Sequence, residues 1–229
     1  MAYYAQRLAR VHAADFTMYA QAAGALLRDE PAGTVIDVGS GAGDLVAALE
    51  GWEYLGIDAS PDMIAIARER YPHARFEQGD VHDLPNVHAD AIVAIGEVLN
   101  YATDLPGLIS WVRTVRERLR PGGLLLLDVA GPTRADPEPR SRTHSGDGYT
   151  LHVTTRTDPA RRTLTRTIRL TDQHGIHTET HVLHLMDPID VVAALTAAGF
   201  EVTPLDRYAP DLPFPRGWSG FLGRVILDT

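Results

Sequence analysis

Cysteine and lysine are both absent from the 229 residues, and each absence removes a branch of chemistry. Without cysteine there is no disulfide, no thiolate nucleophile and no cysteine-bound zinc. Without lysine there is no Schiff-base amine, no pyridoxal phosphate anchor and no Walker-type phosphate lysine; all 21 basic side chains are arginine. Positive charge is also short. Against 30 acidic residues it leaves a formal net charge of -9, which speaks against nucleic acid or an anionic membrane as the main partner. No apolar run approaches the roughly 20 residues that span a bilayer. The amino terminus shows no basic stretch leading into an apolar core, so a secretory leader is not expected and a cytoplasmic location is. What remains is an ordinary soluble composition, 45% hydrophobic and 22% charged, long enough for one α/β domain with a small appendage.

Along the chain, residues 1–30 read as helical, with Leu8, Val11, Ala14 and Met18 at helical spacing. Thr34–Val38 is a short β-branched run ending in glycines, and Asp44–Glu50 reads as the helix after it. A second apolar run, Tyr54–Ile57, ends at Asp58. Ser60-Pro61-Asp62 then opens a helix: a cap, a proline at the first position and an acid in the first turn. Ala74–Gln78 and Ala89–Ile95 read as strands three and four. Leu105, Leu108, Ile109, Val112, Val115 and Leu119 form the stripe of a long helix, which Pro121-Gly122-Gly123 is expected to stop before a fifth strand, Leu124–Val129. Strands alternating with helices imply a doubly wound parallel sheet.

The rhythm then changes. Gly131–Asp147 reads as a loop or lid. Three β-like segments follow, Tyr149–Thr157, Thr163–Thr171 and Ile176–Met186, separated by turn sequences. Asp187-Pro188 caps a further helix closed by Gly199, and Phe200–Leu205 and Trp218–Leu227 supply two last strands. The division expected within residues 1–229 is therefore a helical cap (1–30), a ligand-binding core (31–131), an antiparallel insert (148–186) and a final helix with an edge hairpin (187–229).

Four motifs carry chemistry. Asp37-Val-Gly39-Ser40-Gly41-Ala-Gly43 lies between a strand and a helix, where glycines let a ligand rest on the backbone. A dinucleotide loop would place a third glycine at position 44. Asp44 stands there instead, a negative charge where a pyrophosphate would sit, so a cationic, phosphate-free ligand is favoured. Asp58, at the end of strand two, can accept hydrogen bonds from two ribose hydroxyls, though it would equally serve as a cap near Ser60. Gly79-Asp80-Val81 offers an acid for an exocyclic amine and an apolar side chain for a ring. Gly96-Glu97-Val-Leu-Asn100-Tyr101 sets polar and aromatic groups at the end of strand four.

In order and spacing these segments resemble the core of class I S-adenosylmethionine-dependent methyltransferases: VIDVGSGAG, LGIDASPDMIAIA, FEQGDVHDLP, DAIVAIGEVLNY and LRPGGLLLLDV. The resemblance implies a seven-stranded sheet of order 3-2-1-4-5-7-6 with strand seven antiparallel. It implies S-adenosylmethionine as cofactor, with Asp37, Gly39, Ser40, Gly41 and Gly43 along its methionine part and Asp58, Ala59 and Met63 near its ribose. Gly79, Asp80 and Val81 would then frame the adenine, and Gly96 and Glu97 would border the methyl position. The insert resembles that of small-molecule relatives, the sugar N-methyltransferases and glycine N-methyltransferase, where it covers substrate or builds a homodimer contact. Tyr3, Tyr4, His12 and Phe16 are expected to close the site from the amino-terminal side.

The reaction implied is methyl transfer to an oxygen or nitrogen of a small organic acceptor, carried mainly by proximity and orientation. A base is needed only when the acceptor is protonated. Glu97 is the acidic candidate for catalysis, and Tyr4, His12, Asn100, Tyr101 and His144 are the acceptor-side candidates. Of the ten histidines, His144, His152, His177, His181 and His184 lie in or beside the insert. His181 and His184 would face opposite sides of a strand, which argues against a shared metal. The absence of an NPPY-type tetrapeptide after strand four fits a small acceptor rather than a nucleic-acid base. Three alternatives stay open: a non-methylating use of the same cofactor, an NAD-dependent oxidoreductase and an idle binding protein.

Overall fold

The computed structural model describes residues 4–15, 17–101, 104–134 and 138–227. Tyr3 and Phe16 lie outside them. Two helices open the chain where one helical stretch was expected, α1 (Gln6–Asp15) and α2 (Thr17–Leu26). The central sheet begins with β1 (Thr34–Val38), β2 (Glu53–Asp58), β3 (Arg75–Gln78), β4 (Ala89–Ala94) and β5 (Leu119–Ala130). Helix α3 (Pro61–Arg70) joins β2 to β3, and α4 (Leu105–Arg118) joins β4 to β5. The first crossover carries a 3-10 turn, Asp44–Ala48, rather than the expected helix.

The insert has four antiparallel strands, one more than the sequence suggested: β6 (Arg140–Gly146), β7 (Tyr149–Asp158), β8 (Thr163–Asp172) and β9 (Gly175–His184). β6 occupies the stretch read as a lid and is exposed along its whole length, so it carries no alternation to read. The chain ends with α5 (Pro188–Ala197), β10 (Phe200–Leu205), a small hairpin of β11 (Arg207–Ala209) and β12 (Leu212–Pro213), and β13 (Trp218–Val225).

The large sheet runs β3-β2-β1-β4-β5-β13-β10. Its first five strands are parallel, and β13 is antiparallel to both β5 and β10. That is the expected order, with β10 and β13 as strands six and seven. Period-two alternation sends Ile36, Ile92, Leu125 and Leu127 to one face, against Leu108, Val112 and Val115 of α4 and Val191 and Leu195 of α5. Val35, Val93, Leu124 and Leu126 face the other way, against Ala23 and Leu27 of α2 and Ile64 and Ala67 of α3. Both faces are covered, so the inner strands are apolar throughout.

Helix starts follow their caps. Ser60 accepts from Met63 N at 3.2 Å, Asp104 from Gly107 N at 2.8 Å and Asp187 from Ile189 N at 3.0 Å. The α4 stripe differs from its expected form: Trp111 is buried while Leu105 and Ile109 are exposed. Pro121-Gly122-Gly123 does not stop that helix. It lies inside β5, where the register against β4 jumps from Ala89↔Leu119 to Ala91↔Leu124 and Gly122 takes a left-handed φ of 74°.

Helix α1 is the hinge between core and insert. Leu8 and Val11 pack on Leu151, Ile168 and Leu170 of the insert, while Ala9 packs on Ala42 and Met63 beside the glycine loop. Met18, expected on the same stripe, is exposed. Among the described residues no helix is long and apolar enough to cross a membrane.

Candidate active site

Parallel strands bring all their carboxyl ends to one edge, and the four motifs meet there. Gly39 and Ser40 donate their N–H groups to Ile57 O at 2.8 and 3.0 Å, so the loop is strapped to the end of β2. Gly39, Gly41 and Gly43 all have left-handed φ, of 74°, 53° and 82°. At Gly39 a Cβ would meet Val98 at 2.4 Å, and at Gly43 it would meet Phe76 at 2.7 Å. Gly41 and Gly96 differ: a Cβ there would have nothing within 4 Å. Gly41 follows β1 and Gly96 follows the adjacent β4, so both lie at this edge.

Asp58 ends β2, beside the Gly41 loop and across β1 from Gly96, and is buried enough that its carboxyl is raised above the ordinary range, against the pull of two backbone donors. Its oxygens accept from Gly41 N and Ser60 N at 2.8 Å each. The cap reading is therefore true of one lone pair on each oxygen, and the second pair of each has no donor among the described residues. Asp37 is buried and accepts from the Tyr54 hydroxyl at 2.6 Å; burial pushes it up to about 7. Ser40 Oγ is buried with no hydrogen-bond partner among the described residues. Ala59 is exposed, and Met63 is buried under the loop. After β3, Gly79 N donates to Asp58 O at 3.0 Å, Asp80 is exposed and caps His82 N at 2.7 Å, and Val81 is buried.

Asp44 does not stand as a bare charge at the loop. It pairs with Arg70 Nη2 at 2.6 Å, so its local field is compensated and its weight against a pyrophosphate is smaller than the sequence alone suggested.

Glu97, only 2% exposed, holds a left-handed φ of 66° and pairs with Arg166 of β8 at 2.5 Å. Burial works against the Arg166 charge, but Glu97, with Tyr4 and Tyr101 adding to it, holds the guanidinium above its ordinary value. The strained turn has a support the sequence did not disclose. Asp128, 0% exposed at the end of β5, accepts from Gly96 N at 2.8 Å and Glu97 N at 2.7 Å, and also from the Tyr208 hydroxyl. Burial pushes Asp128 up to about 6.

The acceptor-side candidates separate. Tyr4, also left-handed at φ 57°, lies with its ring 4.8 Å from His12 and 4.9 Å from His181. Tyr101 shares a 2.8 Å hydrogen bond with His181 Nδ1. These four stand together with Glu97 and Arg166. Asn100 does not join them. It is 0% exposed, its Nδ2 donates to Ala130 O at 2.8 Å and His184 O at 2.6 Å, and its Oδ1 accepts from Ala130 N at 2.8 Å. It clamps β5 to the end of β9 and has no donor left for a ligand. His144 is exposed on β6, the outer edge of the insert, beside Tyr149. Glu179 was not foreseen: it accepts from the N–H groups of Tyr4 and Ala5 at 2.7 and 2.8 Å, seating the start of α1 on β9. The 177/179/181 spacing of His, Glu and His on one strand was the readable signal for it.

A cleft of about 200 Å³ lined by Leu108, Arg162, Met186 and Asp190 shares no residue with the glycine loop. Among the described residues no cluster of histidine and carboxylate groups is arranged to hold a metal.

This sheet order with glycine loop and strand-end carboxylates is the class I methyltransferase fold. Residues 35–123 match the family model described as the Methyltransferase domain. An S-adenosylmethionine-dependent methyltransferase from Clostridium acetobutylicum superposes with a TM-score of 0.81 at 15% identity, over 96% of this chain and 98% of that one. The sugar N-methyltransferase of a Streptoalloteichus species gives 0.75 at 27% identity, over 95% and 90%. Trans-aconitate 2-methyltransferase of Deinococcus radiodurans is 34% identical over 46% of this chain, and the match spans only 41% of its own length. The dTDP-3-amino-3,4,6-trideoxy-α-D-glucopyranose N,N-dimethyltransferase of Streptomyces venezuelae is 26% identical over 78% of this chain and 80% of its own.

Proposed function

We propose that the protein transfers a methyl group from S-adenosylmethionine to a small organic acceptor, on nitrogen or oxygen. One observation carries the cofactor: the space beside Gly41, which a Cβ could enter freely, is bordered by the Asp58 carboxylate, whose two oxygens each accept one backbone hydrogen bond and keep a second lone pair. Backbone without side chains supports a ligand lying flat on the loop, and a carboxylate with spare lone pairs suits a ribose diol. Asp37 and Ser40 Oγ would face the amino-acid portion, and Asp80 and Val81 the adenine. When bound, the sulfonium supplies an electrophilic methyl group. The residues of this chain then hold the acceptor in line and keep water out. Tyr4 and α1 do the second, since they are pinned both to Glu179 and, through Tyr4 O and Ser60 Oγ at 2.9 Å, to the start of α3.

Nitrogen is the favoured atom. The Streptomyces venezuelae and Streptoalloteichus enzymes, which align over 78% and 95% of this chain, are named for N-methylation of sugars, whereas the trans-aconitate enzyme aligns over less than half of it. The insert and α1 build the acceptor side, so similarity that includes them weighs more. A homodimer through the exposed edge of β6 and a cytoplasmic site of action belong to the same proposal.

Titration calorimetry tests the cofactor with S-adenosylmethionine, its demethylated product and NAD. Binding of the first two and not the third is expected. Asp58→Ala should weaken that binding by about 1–3 kcal/mol through two lost hydrogen bonds. Tighter binding of NAD, or unchanged affinity in the variant, would count against the reading.

A further inference from the structure

Strand alternation places His177, Glu179 and His181 on one face of β9, and the register sets Arg166 of β8 directly opposite His181. Each nitrogen of the His181 ring has a partner among the described residues. Nε2 stands 3.3 Å from a Glu179 oxygen, and Nδ1 is 2.8 Å from the Tyr101 hydroxyl. Only one neutral tautomer satisfies both: a proton on Nε2 directed at the carboxylate leaves the Nδ1 lone pair to accept from Tyr101. Burial, helped by Arg166 and opposed by Glu179, holds the His181 pKa below its ordinary value, so the imidazole is neutral at neutral pH.

This carboxylate–imidazole–phenol series points at the same place as the cofactor edge. Tyr101 closes the turn that begins with Gly96 and Glu97 at the end of β4. Tyr4, whose ring touches His181, has its own hydroxyl raised by burial, with Glu97, Asp58 and Glu179 adding to the rise, so it spans the gap between the ribose carboxylate and the series. His181 itself is 0% exposed. A ligand in the site can reach the half-buried Tyr101 but not the imidazole behind it.

We propose that Tyr101 takes the proton from the methyl acceptor, and that His181, oriented by Glu179, takes the phenolic proton in return. The proposal rests on the methyl-transfer reading above. In the step, the acceptor N–H or O–H bond breaks and its proton goes to Tyr101 Oη, while the Tyr101 O–H bond breaks and its proton goes to His181 Nδ1. The acceptor keeps the electron pair. His181 becomes an imidazolium beside the Glu179 carboxylate, and its proton later returns to water. The groups facing His181 fit this charge change: Glu179 attracts the new cation, and the repulsion from Arg166 is offset by the Glu97 paired to it. Tyr4 and, behind it, His12 close the remaining side.

The test reads tautomer and rate on the intact chain. Histidine nitrogen NMR is expected to show His181 neutral with its proton on Nε2, and Tyr101→Phe to shift the Nδ1 signal. A proton on Nδ1, or an imidazolium at neutral pH, overturns the relay without any acceptor being needed. The rate arm uses labelled S-adenosylmethionine with the dTDP-3-amino sugar named above as probe. There Tyr101→Phe and His181→Gln should lower kcat by about 10²-fold or more, the range for a lost general base, with S-adenosylmethionine affinity unchanged by calorimetry. The deficit should shrink at alkaline pH, where the acceptor sheds its proton unaided, and a purely structural role would not produce that. Variants that keep the wild-type rate and acid limb sink the relay alone. A wild type that fails to bind S-adenosylmethionine sinks the methyl-transfer reading instead. If the wild type binds it but leaves this sugar unmethylated, the tautomer decides.

Discussion

Gly41 and Asn100 lie at the same sheet edge and do opposite jobs. Asn100 spends its amide on three backbone groups of β5 and β9, so its chemistry is turned inward. Gly41 spends one N–H on Asp58 and keeps its Cα open to the site. An alanine at 41 would cost about 1–2 kcal/mol for a left-handed φ in a residue with a Cβ, and would place that methyl in the space left for the cofactor. Gly41→Ala is therefore expected to fold, with a small loss of thermal stability, and to lose S-adenosylmethionine affinity by more than the stability change. Melting curves with and without the ligand separate the two. Equal ligand-induced shifts in variant and wild type would show that nothing lies over the loop.

Between elements, the Glu97–Arg166 pair is the main polar tie from insert to core. Both side chains are largely buried, at 3% and 17% exposure, and Glu97 is also held in a left-handed turn by Asp128. Removing one member of such a pair strands the other charge. Arg166→Met should cost about 3–5 kcal/mol in urea unfolding, and adding Glu97→Gln should recover part of it, because the stranded carboxylate is gone. No recovery in the double variant would mean the loss is one of packing. This pair also marks the limit of what the sequence discloses. The parallel core was legible because strands buried on both faces are apolar runs and its helices announce themselves with Ser60-Pro61 and Asp187-Pro188. Asp58 and Asp80 were legible for the same reason: each follows such a run. β6 was not, because it is exposed on both faces and carries no pattern. Pro121-Gly122-Gly123 misled, since a bulge and a helix stop use the same residues. Arg166 and Asp128 were invisible because their partners lie 69 and 31 positions away; the spacing of Glu179 between His177 and His181 was readable, but its partner 174 positions away was not, since no local periodicity encodes such pairings.

For the molecule as a whole, the buried carboxyls give stability a pH slope of unusual sign. Asp37 is pushed up to about 7 and Asp128 to about 6, burial being the largest cause in each. In the unfolded chain both ionise near the ordinary carboxylate value of about 3.9. A group raised in the folded state contributes its stability below the unfolded value and loses it as pH rises through the folded one. From these two groups, then, stability should decline between about pH 4 and pH 7, each unit of separation being worth roughly 1.4 kcal/mol at most. The net charge of -9 acts in the same direction, since self-repulsion grows as the carboxyls ionise. Glu179 acts below this window: partial burial raises its carboxyl, but two backbone and two histidine donors hold it below the ordinary range, so its contribution is lost only as pH falls under that range. His181 opposes the trend up to its ordinary value, because burial holds its folded pKa lower. The larger shifts belong to Asp37 and Asp128, so the melting temperature without ligand should fall from pH 5 to pH 8. Asp37→Asn isolates the cause. The amide oxygen can still accept from Tyr54, now without an ionisation to lose, so the variant's melting temperature should fall less across that interval. A variant slope as steep as the wild type's would place the pH dependence elsewhere than at the glycine loop.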